Sequence, residues 1–148
     1  MRTLCGVLSC GKRHGGIEYC YLCPEYPCKR YEGAQCRDSF ITHRNMRQDF
    51  ERAREGGLET YQAQLEEKMA ILRNLLAYYN DGRRKSFYCL SVNLLELEDV
   101  RQVMEQIRQQ VSIDAPDKER AAQVVVLFRA MAKQRGVELV LNRKKPVV

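Results

Sequence analysis

Six of the seven cysteines fall within the first 36 residues, five of them in the run Cys5-x4-Cys10-x9-Cys20-x2-Cys23-x4-Cys28, with Cys36 following. Thiolates two to four residues apart turn both sulfurs toward one ion, because the short loop between them closes a tight backbone turn around it. An odd number of cysteines argues against a disulfide framework. So does a start, Met1-Arg2-Thr3-Leu4-Cys5, that lacks the apolar stretch of a secretory signal. Metal binding or thiol chemistry remains, with a cytoplasmic location as the simplest expectation.

Cys20-Tyr21-Leu22-Cys23 is a knuckle-type chelating pair, and Pro24 and Pro27 stiffen the loop that leads to Cys28. The candidate metal ligands are Cys5, Cys10, Cys20, Cys23 and Cys28; Cys36, His14 and His43 are further donors within reach in sequence. Zinc is the leading ion because it accepts four thiolates, or three and an imidazole, in tetrahedral geometry without a redox partner. An iron–sulfur cluster uses the same donors, but the run lacks the C-x2-C-x2-C-x3-C-P order of bacterial ferredoxins. A redox-active Cys20–Cys23 pair is a third reading. Its setting among turn residues and further cysteines differs from the strand-then-helix frame of thioredoxin-like motifs. The plain alternative is that these are separate reduced thiols in a small core, the expected role of Cys89 in any case.

Tyr19, Tyr21, Tyr26 and Tyr31 interleave with the cysteines, and Lys12-Arg13 and Lys29-Arg30 flank them. Aromatic planes beside cations are what a single-stranded nucleic acid stacks on and pairs its phosphates with; the same tyrosines also serve as the core of a segment too short to have another. The formal net charge of +6 is spread along the chain, apart from short clusters at Arg83-Arg84-Lys85 and Arg143-Lys144-Lys145. It permits an anionic partner without demanding one. No paired-carboxylate, Ser-His-Asp or phosphate-loop arrangement supports an enzyme, and no apolar run is long enough for a membrane span.

Residues 1–38 show no sustained hydrophobic period and are expected to be a loop-built, metal-nucleated segment. A helical hairpin is expected over 39–82. Its first helix runs from about 43 to 55, with Met46, Phe50 and Ala53 on one face and Gly56-Gly57 as its stop. The second is long and amphipathic, read from Leu58, Tyr61, Leu65, Met69, Leu72, Leu76 and Tyr79, and Asn80-Asp81-Gly82 ends it.

A strand-helix-helix-strand unit is expected over 83–148. Phe87 to Val92 is aromatic and β-branched in character, and Val137 to Asn142 alternates, so the two read as strands. The helices between them are read from Leu97, Val100, Met104, Ile107 and Val111, and from Ala121, Val124, Val125, Phe128 and Met131, with Gly136 as the close. The expected class is α+β, one compact domain with a two- or few-stranded antiparallel sheet.

Cys5-Gly6-Val7-Leu8-Ser9-Cys10, followed by Gly16-Ile17-Glu18-Tyr19-Cys20-Tyr21-Leu22-Cys23-Pro24-Glu25-Tyr26-Pro27-Cys28-Lys29, resembles the C-terminal half of the cysteine motif of the prokaryotic family called domain of unknown function 3795. The resemblance continues through Ser39-Phe40-Ile41-Thr42-His43 to Gly56-Gly57-Leu58. It implies a small cytoplasmic zinc-binding protein without an assigned activity. Family members carry further cysteines upstream of those that match Cys5 and Cys10; these are absent here, which favours one ion over two. The function expected is that of a structural zinc protein acting through a macromolecular partner, either a protein or a nucleic acid.

Overall fold

The computed structural model describes residues 6–32, 38 and 41–143, and among them all regular structure is helical. Six α-helices follow in chain order: α1 (Gly6–Arg13), α2 (Met46–Gly56), α3 (Leu58–Tyr78), α4 (Lys85–Leu94), α5 (Leu97–Gln110) and α6 (Asp117–Arg135). Single 3-10 turns stand at Cys20–Leu22 and Lys29–Tyr31. The expected α+β class is overturned, since no strand and no sheet occur among the described residues.

The first miscast strand, Phe87 to Val92, lies inside α4. Its residue types suit a half-buried pleated surface, but that preference is weak against tertiary burial. As a helix the segment puts Tyr88, Ser91, Val92 and Leu95 on one buried side, at steps of three and four. The turn before it is built by local side-chain acceptors. Asn80 Oδ1 accepts from the N–H groups of Gly82 and Arg84, and Asp81 Oδ1 accepts from that of Arg83. The Tyr88 hydroxyl donates back to the Tyr79 carbonyl at 2.6 Å, locking α4 to the end of α3. Cys89 is half-buried on the outer flank of α4, not sealed in the core.

The second miscast strand keeps its alternation without a sheet. Val137, Leu139 and Leu141 are half-buried, while Glu138 and Val140 are exposed. No strand stands beside it among the described residues, and the segment forms a strap whose Val137 and Leu139 lie on the core. Gly136 makes the turn into it at φ +66°, a left-handed conformation that an L side chain adopts only with strain.

The core sits among α3, α4, α5 and α6, where Leu75, Tyr88, Val100, Val103, Ile107, Val124 and Phe128 are fully shielded from water. The rings of Phe87, Tyr88 and Phe128 meet in mutual edge or tilted contacts. Buried Asp99, in the first turn of α5, accepts two bonds from the Arg135 guanidinium, at 2.6 and 2.9 Å, tying the start of α5 to the end of α6. α2 packs along α3 across the single residue Gly57, whose φ of +87° lets two helices meet with no further linker.

One helix was not visible in the periodicity. α1 forms where loop was expected, and it has no buried residue, so burial imposes no hydrophobic pattern on its sequence. Lys12 and Arg13 in its last turn suit the negative end of its dipole.

Asp38 closes the strap. It is 4% exposed; its N–H donates to the Asn142 carbonyl at 2.8 Å, and its carboxylate accepts from the N–H groups of Asn142 at 2.7 Å and His43 at 3.0 Å. Arg44 adds a bond to the Val140 carbonyl. Burial pushes the Asp38 carboxyl up, but the Asn142 and His43 donors outweigh it and hold the group below its ordinary value. Its contribution is therefore present above that ordinary value and is lost as the pH falls through the folded pKa. Asp38→Ala should cost about 1–3 kcal/mol in urea unfolding at neutral pH, because two N–H groups lose a charged acceptor. The deficit against the parent should shrink as the pH is lowered into the acid range; an unchanged deficit would contradict this assignment.

Candidate metal centre

The cysteine segment is assembled from three short pieces of structure. α1 carries Cys10, and His14 follows one turn later: its Nδ1 lies 2.9 Å from the Cys10 carbonyl oxygen and 3.6 Å from the Cys10 sulfur. The 3-10 turn at Cys20–Leu22 closes with the Cys23 N–H donating to the Cys20 carbonyl at 3.0 Å, which keeps this pair of cysteines on one tight loop. Pro24 to Pro27 then lead through a cis Tyr26–Pro27 bond to Cys28. The second 3-10 turn follows, with the Tyr31 N–H donating to the Cys28 carbonyl at 2.9 Å.

These pieces bring Cys10, Cys20, Cys23, Cys28 and His14 around one small cavity of ≈ 20 Å³, closed on its other sides by Ile17, Tyr26, Arg30 and Tyr31. All four cysteines are free and half-buried. The donor types suit zinc, and the cavity has about the room of one water or one ion. The donors ring it without converging: no three His, Cys, Asp or Glu side chains among the described residues are drawn together tightly enough to hold a metal ion. Of the remaining candidates, Cys5 and Cys36 lie outside the described residues. His43 is placed elsewhere, lining a separate cavity between α2 and α3.

The electrostatics around Cys10 favour thiolate. A hydrogen bond from the Arg30 guanidinium holds the Cys10 thiol below its ordinary value against some desolvation, and the charges of Arg30, His14 and Arg13 act in the same direction. His14 is pushed up, chiefly by its bond to the Cys10 carbonyl and then by Glu25, whose carboxylate lies 3.5 Å from Nε2. Tyr31 is raised well above the usual phenol range by burial, by its hydrogen bond with Cys20, and by the nearby charge of that group.

The tyrosines between the cysteines anchor the segment. Tyr21, Tyr26 and Tyr31 close on Phe50 of α2 with ring centroids 5.9, 5.7 and 6.1 Å away, and Tyr19 stacks on Tyr21 at 5.7 Å. Phe50 belongs to the apolar face expected for the first helix; its partner is the cysteine segment. That pairing had no signal in the sequence beyond the excess of tyrosine.

A polar network beside this anchor was also missed. Asp49 hydrogen-bonds Tyr61, whose hydroxyl is pushed up to about 12 by burial and then by the Asp49 charge. Arg52 reaches both Asp49, at 3.6 Å, and Glu96. Lys68 donates to the Leu95 carbonyl at 2.7 Å, fastening α3 to the α4–α5 turn, and burial pushes its ammonium down. The detectable trace was Lys68 interrupting the apolar stripe of α3.

No family model, no curated protein and no solved structure matches the chain. No helix among the described residues is long and apolar enough to cross a membrane.

Removing the anchor should release the cysteine segment selectively. Phe50→Ala should cost about 2–4 kcal/mol of local stability. It should speed tryptic cleavage at Lys29 and Arg30 many-fold while the thermal melt of the α3–α6 core moves little. Cleavage at the parental rate would show that the rings do not hold the segment.

Proposed function

We propose that the chain is a cytoplasmic zinc-binding protein in which the metal is structural, and that it acts by binding a macromolecular partner. The observation that carries the zinc reading is the gathering of Cys10, Cys20, Cys23 and Cys28 around one ion-sized cavity. Four thiols of mixed sequence separation have little reason to face a common gap in so small a segment unless something fills it. Cys5 is a fifth candidate ligand, and membership in the cysteine-motif family that the first third of the chain resembles belongs to the same proposal.

Zinc has a clear physical task here. α1 and both 3-10 turns contain no buried residue, so the segment lacks the apolar burial that stabilises α3–α6. An ion that draws the sulfurs together supplies free energy in its place, and its binding is then coupled to local folding. The cavity also suits one ion better than a cluster of several irons and sulfides. Partner binding fits a chain in whose sequence no catalytic constellation is evident and whose basic excess is spread along its length.

Elemental analysis of purified protein should find one zinc per chain and no iron, with no visible absorption from anaerobic preparations. Chelation should expose the first 40 or so residues to protease before the helices unfold. Cys20→Ser and Cys23→Ser should each weaken zinc retention about 10-fold or more. Metal-free protein with an unchanged proteolysis pattern after chelation would overturn the reading.

A further inference from the structure

A second cavity, of ≈ 230 Å³, opens beside the cysteine segment where Tyr19 and Tyr21 overhang the α2–α3 pair. Four of the chain's aromatic residues line it: Tyr19, Tyr21, Phe50 and Tyr61. They arrive from three different elements, with Tyr19 and Tyr21 stacked at an interplanar angle of 19° and Phe50 tilted by 50° to Tyr21. Asp49 supplies a carboxylate to the wall, and among the described lining residues there is neither Lys nor Arg. In a chain with 25 Lys and Arg, a pocket lined by four aromatic rings and one carboxylate, with neither Lys nor Arg in its described lining, suits a weakly hydrated cation; Thr42, His43, Asn45 and Asn93 complete its polar wall.

The geometry points to this cavity as a binding site for a methylated ammonium group. Ring faces attract a cation through their quadrupole, and they do so best for one that sheds water easily. A plain ammonium is strongly hydrated and would lose more in leaving water than the rings return. A trimethylammonium group presents apolar methyls to the rings while its charge faces Asp49, and the volume leaves room for the start of the chain that carries it. The Tyr61 hydroxyl donates to the Asp49 carboxyl; burial pushes that carboxyl up, and the charges of Arg52 and Lys68 hold it down in part. Arg52, at 3.6 Å, neutralises part of its charge from outside the described lining. Two sources offer such a group, a methylated lysine of a protein and a choline-type headgroup, and the pocket chemistry is common to both.

This assignment rests on the partner-binding part of the proposed function and is linked to the metal part, because Tyr19 and Tyr21 flank Cys20 and are held where the cysteine loop holds them.

The test uses the full chain labelled with 13C at the methionine methyls. Met46 lines the pocket, and Met69 and Met104 lie away from it as internal controls. Choline should shift the Met46 signal saturably and leave Met69 in place. It should bind at least about tenfold more tightly than 3,3-dimethyl-1-butanol, its neutral isostere. Asp49→Asn and Tyr19→Leu, with circular dichroism and melting confirming the fold, should each weaken choline about tenfold or more. A capped trimethyl-lysine peptide and glycerophosphocholine then identify the source by which binds more tightly.

Equal binding of choline and the isostere, a response at Met69 in place of Met46, or no Met46 response at saturating millimolar ligand would each overturn the assignment. Repeating the titration after chelation separates the two proposals. Binding by a protein that holds no zinc would keep the pocket and remove the metal, whereas a zinc-loaded protein with a silent Met46 would keep the metal and remove the pocket.

Discussion

The contact between Phe50 and the three tyrosines is what makes one body of two unlike parts. The cysteine segment buries no residue within α1 or its two 3-10 turns, whereas α3 to α6 enclose a continuous apolar core. Phe50 stands on α2, which packs along α3, so the rings that close on it transmit the rigidity of the core to the loops. Each of these tyrosines lies within three residues of a cysteine: Tyr21 between Cys20 and Cys23, Tyr26 and Tyr31 on either side of Cys28. Positioning the rings therefore positions the sulfurs, and the small cavity among Cys10, Cys20, Cys23 and Cys28 follows from aromatic packing as much as from the loops themselves.

How much of the fold was legible depended on whether burial writes a period into the sequence. α2, α3, α5 and α6 each show apolar residues at steps of three and four, and each forms where that pattern lies. α4 was misread because six residues, Phe87 to Val92, are too few to separate a buried helix from a strand by period, and their β-branched and aromatic character tipped the choice. The correct reading needed Leu95, which extends the buried side of Tyr88, Ser91 and Val92 by another step and lies beyond the run. α1 failed for the opposite reason: with no buried face it has no period to display. The alternation of Val137, Leu139 and Leu141 was real, but alternation reports one buried side and not a neighbouring strand.

The candidate site was legible in its residue types and not in its geometry. Spacing alone put Cys20 and Cys23 on one loop, and the chain does place Cys10 and Cys28 beside them. Spacing could not say that His14 would turn toward the Cys10 carbonyl and Glu25, nor that His43 would leave for the cavity between α2 and α3. The first is set by a local turn that spacing of cysteines does not encode, the second by packing against Tyr19, Tyr21 and Tyr61, distant in sequence. Likewise the tyrosines admitted two roles on composition, stacking surface or local core. Phe50, some twenty to thirty residues away, draws Tyr21, Tyr26 and Tyr31 into the second.

The same rings clarify why the sulfurs gather without converging. Aromatic packing has a shallow dependence on angle and distance, so it brings the four thiols to one cavity but has no means of drawing them to one point. Thiolates also repel one another, and closing them further costs free energy unless a positive charge sits among them. Arg30, Arg13 and His14 stabilise Cys10 as thiolate, but cations beside one sulfur offset that repulsion only in part. In the proposed zinc form the charge that completes the arrangement lies at its centre. A divalent ion there leaves a net negative centre that the same cations then offset, so in that form the basic flanks of the cysteine run have a local purpose that needs no nucleic acid.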